Sequence, residues 1–174
     1  MTPPEIHKRL QSRLTQERIG AVKLAEEALG RSADDSAAEQ MTERFGFLCE
    51  DGPGRDPACH IRAKLAFALG RLEYSPAAEV LRVGIRTVQV EAVGGVPFDT
   101  GAFLRANCAL ALAQIRDPDC VRDIALLLFD RSGRIAGAGD PTVKMEPRKA
   151  AAQALAITGS SAIEGISWPR AATT

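Results

Sequence analysis

Arginines at a constant spacing are the first residues in this 174-residue chain whose type and position could do chemistry. Arg62, Arg105 and Arg148 recur at intervals of 43 residues. A guanidinium makes charge-assisted hydrogen bonds to carboxylates and phosphates, so such a series could bind an anion. A constant interval is also what repeated packing imposes. We therefore expect a structural ladder, in which each arginine caps a helix or pairs with an acidic residue near the adjoining turn.

A second set of arginines, outside the 43-residue series, supplies the candidate binding residues. Its members are expected on polar helix faces or in a glycine-rich connection, and they are Arg82, Arg86, Arg122, Arg131 and Arg134. Together they could hold an acidic peptide or a phosphate, although a solvated polar face has the same composition. The connection at 131–145 lacks the spacing of a phosphate-binding loop, and we expect a mobile insertion there.

Patterns typical of catalysis or metal binding are missing from the sequence. The two histidines, His7 and His60, stand far apart, and no hydrolase or metalloprotease motif accompanies them. The cysteines match no zinc-site spacing and are expected to be reduced thiols. They are Cys49, Cys59, Cys108 and Cys120. We predict a protein without a cofactor and without enzymatic activity.

The composition favours a helical protein. Aromatic residues make up 5% of the chain, so the core must consist of alanine, leucine, isoleucine and valine, and alanine is the best helix former. The 22 basic residues balance the 22 acidic ones, which argues against a nucleic-acid partner. The chain offers neither an apolar leader nor a run of about 20 apolar residues, so we expect a cytoplasmic protein without a membrane partner.

Three segments align without gaps around the recurring arginines, and each is predicted to form a helix. Each begins with a residue type that caps helices: Asp56, Asp99 and Thr142. Four residues after each arginine stands an alanine: Ala66, Ala109 and Ala152. Seven residues after each stands a leucine: Leu69, Leu112 and Leu155. Apolar residues follow helical spacing in the segments, and they place Cys108 in the core. The third helix should begin near Glu146.

A second helix is predicted after each of the first two. Ser75-Pro76 and Asp117-Pro118 are typical of a helix start. Three apolar residues in the first copy match three in the second, and they are Ala78, Leu81 and Ile85 with Val121, Ile124 and Leu128. In the third copy Ser160-Ser161 predicts a second helix that is short or truncated. The small alanines should let neighbouring helices approach closely, so Ala109→Leu should lower the melting temperature more than Ala77→Leu.

The repeat divides the chain into one domain with several units. We expect capping helices and a degenerate repeat over 1–55, including a first helix at 16–30 and a partner helix at 36–48. Repeats with their connections occupy 56–98 and 99–141, a partial repeat occupies 142–166, and a tail occupies 167–174. The connection at 87–98 has alternating valines and should form a short hairpin or an extended flap that seals the core edge or meets a partner.

The unit resembles the HEAT repeat, particularly the short bacterial HEAT-like type. The residues that carry the resemblance are Ile61-Arg62, Ala66, Ala68-Leu69-Gly70, Leu104-Arg105, Ala109, Ala111-Leu112, Asp117-Pro118, Arg148, Ala152 and Ala154-Leu155. It covers 56–166 closely and 15–50 loosely, and units of the bacterial type are shorter than this one. The resemblance implies an all-α, right-handed α-solenoid of three to four stacked antiparallel helix pairs.

Several functions are compatible with such an array. The favoured one is a non-enzymatic scaffold that binds another protein along its concave face or at the edge formed by the inter-repeat connections. The resemblance also implies a bilin lyase or chaperone of phycobiliproteins and, less well, an alkylpurine DNA glycosylase. The unfinished third repeat suggests a homodimer through the C-terminal end. Trp168 would cover that end or anchor a partner.

Overall fold

The computed structural model describes residues 8–9, 35–93, 95–130 and 147–164, which are mostly helical. The helices are α1 (Ser36–Glu50), α2 (Gly52–Arg55), α3 (His60–Arg71), α4 (Ala78–Ile85), α5 (Gly101–Gln114), α6 (Cys120–Leu126) and α7 (Pro147–Glu164). The strands are β1 (Val90–Val93) and β2 (Val96–Asp99). Short 3-10 turns lie at Pro57–Cys59, Ser75–Ala77 and Leu127–Phe129. No described helix is long and apolar enough to cross a membrane.

Equivalent helices pack against each other. The first helices form one series, in which α5 lies between α3 and α7. The second helices form another, in which α4 contacts both α1 and α6. The helix α1 covers the partner helix predicted at 36–48, whereas the predicted helix at 16–30 lies outside the described residues.

The aligned apolar positions form one continuous core. Leu69 and Leu112 are fully buried, and Leu155 is half-buried against the same cluster. Cys108 is fully buried, as its place in the pattern predicted. Gly84 explains why the second helix can approach so closely: a Cβ there would lie 2.5 Å from the Cys108 sulfur. The residues that the 43-residue interval selects therefore share the core with Met41, Phe45 and Leu48 of α1.

The third repeat departs from the predicted packing. Ala66 and Ala109 are buried, but Ala152 is exposed, so its predicted role in close helix approach is wrong. The reason is that α5 lies between two first helices. The described contacts of α7 are with α5 and with α6, the second helix of the repeat to which α5 belongs. The second helix predicted after Ser160-Ser161, short, frayed or truncated, is not a separate helix, because α7 continues through both serines to Glu164. Its start at Pro147 agrees with the prediction.

Asp56 caps α3 across the 3-10 turn that precedes this helix. Its carboxylate accepts hydrogen bonds from the main-chain N–H groups of Ile61 (2.9 Å) and Arg62 (3.0 Å). The 3-10 turn between the cap and the helix requires left-handed backbone at Ala58 and Cys59, with φ of 58° and 55°. Asp99 caps α5 at Gly101, and Thr142 lies outside the described residues. Both described caps confirm the prediction.

The ends of α3 and α5 share one geometry. In each, a residue in left-handed conformation follows the helix, Glu73 with φ 50° and Arg116 with φ 57°. The next residue, Tyr74 or Asp117, donates its N–H back to the leucine of the motif, at 3.2 Å in both cases. This is the Schellman arrangement, which usually has glycine at the left-handed position. Because the chain has larger residues there, the sequence did not reveal it.

The connection at 87–98 forms the predicted hairpin. Antiparallel pairing joins Val90 to Asp99 and Val93 to Val96. The two strands connect through a two-residue turn, and Gly95 has a φ of 83°, which suits a glycine. Polar contacts at the base of the hairpin, made by Gln89 and Glu91, join it to the preceding repeat.

Candidate functional site

Two of the predicted binding arginines join consecutive second helices. Arg82 on α4 donates from Nε and Nη2 to the two carboxylate oxygens of Asp117, both at 3.0 Å. Arg86 donates in the same way to Asp123 on α6, at 3.0 and 2.6 Å. Such two-point pairs are strong and directional. The two arginines therefore already have carboxylate partners within the protein, which an acidic ligand would have to displace.

The remaining predicted binding residues are placed differently. Arg122 lies exposed on α6, and within the described ranges it forms no ion pair. Arg131 and Arg134 lie outside the described residues, as does the rest of the glycine-rich connection. The ion pairs thus join Arg82 to the turn before α6 and Arg86 to α6 itself, whereas Arg122 has no ion pair among the described residues.

An exposed apolar row runs beside these ion pairs, and the sequence analysis missed it. Val83 on α4 is 54% exposed, Leu126 on α6 is 60% exposed and Phe129 after α6 is 79% exposed. Val83 and Leu126 stand 43 residues apart, so they occupy equivalent places on consecutive second helices. That interval was the available signal, whereas the aligned core residues Leu81 and Ile124 lie on the opposite, buried face.

Two residues that the alignment assigned to the core are exposed instead. Leu81, Ile85 and Ile124 are buried as the alignment predicted, but Val121 and Leu128 are exposed, which corrects the prediction. The buried members lie on α4, which contacts second helices on both sides, or face inward from α6. Val121 and Leu128 lie on the side of the second repeat that α4 does not cover.

Two arginines of the first helices, Arg62 and Arg105, are structural. Arg62 donates from Nε to Asp56 at 3.1 Å and from Nη2 to the side-chain oxygen of Gln89 at 2.5 Å. Arg105 donates to Asp99 and Asp130, both at 2.8 Å. The expected ladder is confirmed at these two positions.

Electrostatics keeps the Arg105 guanidinium charged despite its burial. Burial alone would lower the pKa of Arg105, but its hydrogen bonds to Asp99 and Asp130 outweigh that effect and raise the pKa. Arg148, the third arginine of the series, is exposed on α7. The buried arginines thus position the connections and are not available to a ligand.

Glu91 fastens the hairpin to the repeat before it. Its carboxylate accepts hydrogen bonds from the Ala58 N–H at 2.9 Å, from the Gln89 amide at 3.1 Å and from the Thr100 hydroxyl. Burial alone would raise the pKa of Glu91, but these hydrogen bonds and the nearby Arg62 together lower it. Glu91 therefore stabilises both the hairpin base and the left-handed turn before α3.

The cysteines are poor nucleophiles. All four are free thiols. Burial raises the pKa of Cys59 and of Cys120 to about 11, and burial also raises the pKa of Cys49 and Cys108. A thiol must ionise to react, so at neutral pH these residues are protonated and of low reactivity.

A shallow depression of about 150 Å³ lies where α5, α6 and α7 meet, smaller than the pockets that usually bury a ligand. It is lined by Ala113, Arg116, Asp117, Pro118, Val121 and Thr158. Over the described residues, no cluster of three histidine, cysteine or acidic side chains could hold a metal ion.

Part of the chain matches one known family. Residues 104–130 match the family model of the PBS lyase HEAT-like repeat. The chain contains a HEAT-like repeat. The matched repeat begins in α5, passes through the Schellman turn at Arg116 and ends after α6. Its ends are joined by the ion pair between Arg105 and Asp130. No curated protein and no solved structure matches the chain.

Proposed function

We propose that this HEAT-like repeat protein is a non-enzymatic scaffold that binds another protein along its second helices. The observation that carries the proposal is the apolar row formed by Val83, Leu126 and Phe129. Apolar side chains that recur on one face of consecutive repeats are typical of a binding surface, because such arrays present equivalent positions in line. We further propose that the helix pairs form a right-handed α-solenoid of three to four repeats.

The surroundings of the row indicate the kind of partner. Glu79, Arg86 and Arg122 border it with charged groups of both signs, and the Arg86 side chain is 66% exposed. An apolar centre with a polar rim is the usual composition of a protein interface. We therefore favour a protein segment with apolar side chains over a phosphate or an acidic peptide. The free thiols suit a cytosolic location, which we also propose.

The test is affinity capture with matched surface variants. Leu126→Glu and Phe129→Glu place charge in the row at exposed positions, whereas Phe67→Glu places the same charge on exposed α3 surface. We expect proteins captured from native cytosol to be lost with the first two variants and retained with the third. Arg122→Ala tests the contribution of the rim. Equal capture by all variants would contradict the proposal.

A bilin-related activity is the second candidate, and the description of the matched family as a PBS lyase repeat favours it. The high pKa values of Cys59 and Cys120 argue against a covalent bilin adduct on those cysteines. A non-covalent chaperone role is the form that suits this chain better. Mixing the protein with a free bilin should then change the absorption spectrum of the pigment, and an unchanged spectrum would exclude this candidate.

A further inference from the structure

The outer edge of β1 has unpaired main-chain groups. The Thr100 N–H donates to the Gln89 carbonyl at 2.8 Å, so residues 89 and 100 form a hydrogen-bonded pair of the antiparallel ladder. Such pairs alternate with non-hydrogen-bonded ones, and the register makes Val90–Asp99 and Ala92–Pro97 the latter kind. The N–H and C=O groups of Val90 and Ala92 therefore point away from β2. Among the described residues they have no main-chain partner.

The outer edge of β2 is closed by contrast. Pro97 occupies the position whose N–H would point outward, and proline has no N–H to donate. The hairpin thus has one edge that can accept another strand and one that cannot.

The open edge is held in place by polar contacts at its base. Glu91 and Gln89 reach Ala58, Arg62 and the main chain of Asp56, so the strand is anchored to the preceding repeat. Val88 and Val90 stand beside the edge and are 68% and 55% exposed. An anchored strand with exposed apolar side chains and free main-chain hydrogen-bonding groups is a template for strand addition.

We propose that β1 pairs with β1 of a second copy of this chain, antiparallel and with the twofold axis at Val90. This register places Val90 opposite its own copy and Val88 opposite Ala92, so exposed apolar residues face each other. Centring the pair on Glu91 would instead oppose two carboxylates, which is unfavourable. The formal net charge of the chain is zero, so long-range repulsion between copies is weak.

The product is a four-stranded sheet shared by two copies. Its outermost strands are both β2, and Pro97 on each prevents a further strand from adding. Assembly through this edge therefore stops at a dimer. The inference is independent of the proposed binding row on the second helices and of a dimer through the C-terminal end.

The experiment measures the mass of the full chain by light scattering over a range of concentrations. We expect a dimer for the wild type and a monomer for Ala92→Pro, which removes the outward N–H. Ala92→Thr retains the N–H and should remain dimeric. Circular dichroism and melting temperature establish that each variant is folded. A wild type that is monomeric at every concentration overturns the proposal.

A second pair of variants decides the result if Ala92→Pro fails to fold. Val90→Lys retains the strand but opposes two ammonium groups across the axis, so we expect at least a tenfold weaker dimer. Val121→Lys changes the C-terminal end instead and should leave the dimer intact. Val90→Cys should form an interchain disulfide under mild oxidation. Loss of the dimer with Val121→Lys but not with Val90→Lys overturns the proposal.

Discussion

At the scale of single residues, the left-handed backbone after α5 gives a clear prediction. Arg116 has a φ of 57°, a conformation that is strained for any residue with a Cβ. Arg116→Gly should stabilise the protein by about 1 kcal/mol, because glycine adopts this conformation without strain. Denaturant unfolding measures the change.

The control for that prediction is Arg122→Gly. Arg122 lies in the interior of α6, where glycine should cost about 1 kcal/mol relative to a good helix former. A destabilised Arg116→Gly variant would show that the Schellman turn at this position is not as described.

Glu91 gives a prediction about acid stability. A carboxyl whose pKa is lower in the folded than in the unfolded state stabilises the fold above the unfolded-state pKa. That contribution is lost as the pH falls through the folded-state pKa. Glu91→Gln should therefore cost about 1 kcal/mol at neutral pH, and its difference from the wild type should shrink to near zero in acid. Unfolding curves over a pH series provide the measurement.

Glu79→Gln serves as the matched comparison, since the Glu79 side chain is 84% exposed. Its unfolding curves should stay close to those of the wild type throughout the series. A constant difference between Glu91→Gln and the wild type down to the lowest pH would contradict the role given to Glu91.

At the scale of elements, the packing of first helices distinguishes two equivalent alanines. Ala109 is buried on α5, and Ala152 occupies the same repeat position on α7 but is exposed. Ala109→Leu should destabilise the protein by roughly 1–3 kcal/mol through overpacking, and Ala152→Leu should be nearly neutral. Calorimetric melting temperatures of the two variants test this.

The comparison first suggested by the sequence, with Ala77, is unsuitable because Ala77 is fully buried and its enlargement would also overpack the core. Similar losses of stability for the variants at 109 and 152 would show that α7 packs as the inner first helices do.

At the scale of the whole molecule, the recurring interval predicted most of the architecture. It identified the first helices, their caps and the buried leucines, because residues in equivalent repeats meet equivalent neighbours. It also led to the expectation that Arg62 and Arg105 are structural. It was wrong at Ala152 and Val121, which are exposed, because burial depends on what packs alongside.

The parts that the sequence could not predict depend on contacts between distant residues. The carboxylate partners of Arg82 and Arg86 lie 35 and 37 residues away, and Glu91 lies 33 residues from Ala58. A helix pattern shows which face is polar but not which opposite charge will meet it. The binding arginines were therefore predicted as free groups, and the apolar row beside them was missed.

The central claim is that the first helices of consecutive repeats are in direct contact, and Gly70 tests it most directly. A Cβ at Gly70 on α3 would lie 2.7 Å from the Ala111 Cα on α5, whereas a Cβ at Gly46 on α1 would meet its nearest neighbour at 3.8 Å. Alanine in place of a helical glycine normally stabilises by about 0.5–1 kcal/mol. Denaturant unfolding should show Gly46→Ala to be stabilising and Gly70→Ala to be destabilising by roughly 1–3 kcal/mol. Stabilisation by both substitutions would contradict the stacking of α3 on α5.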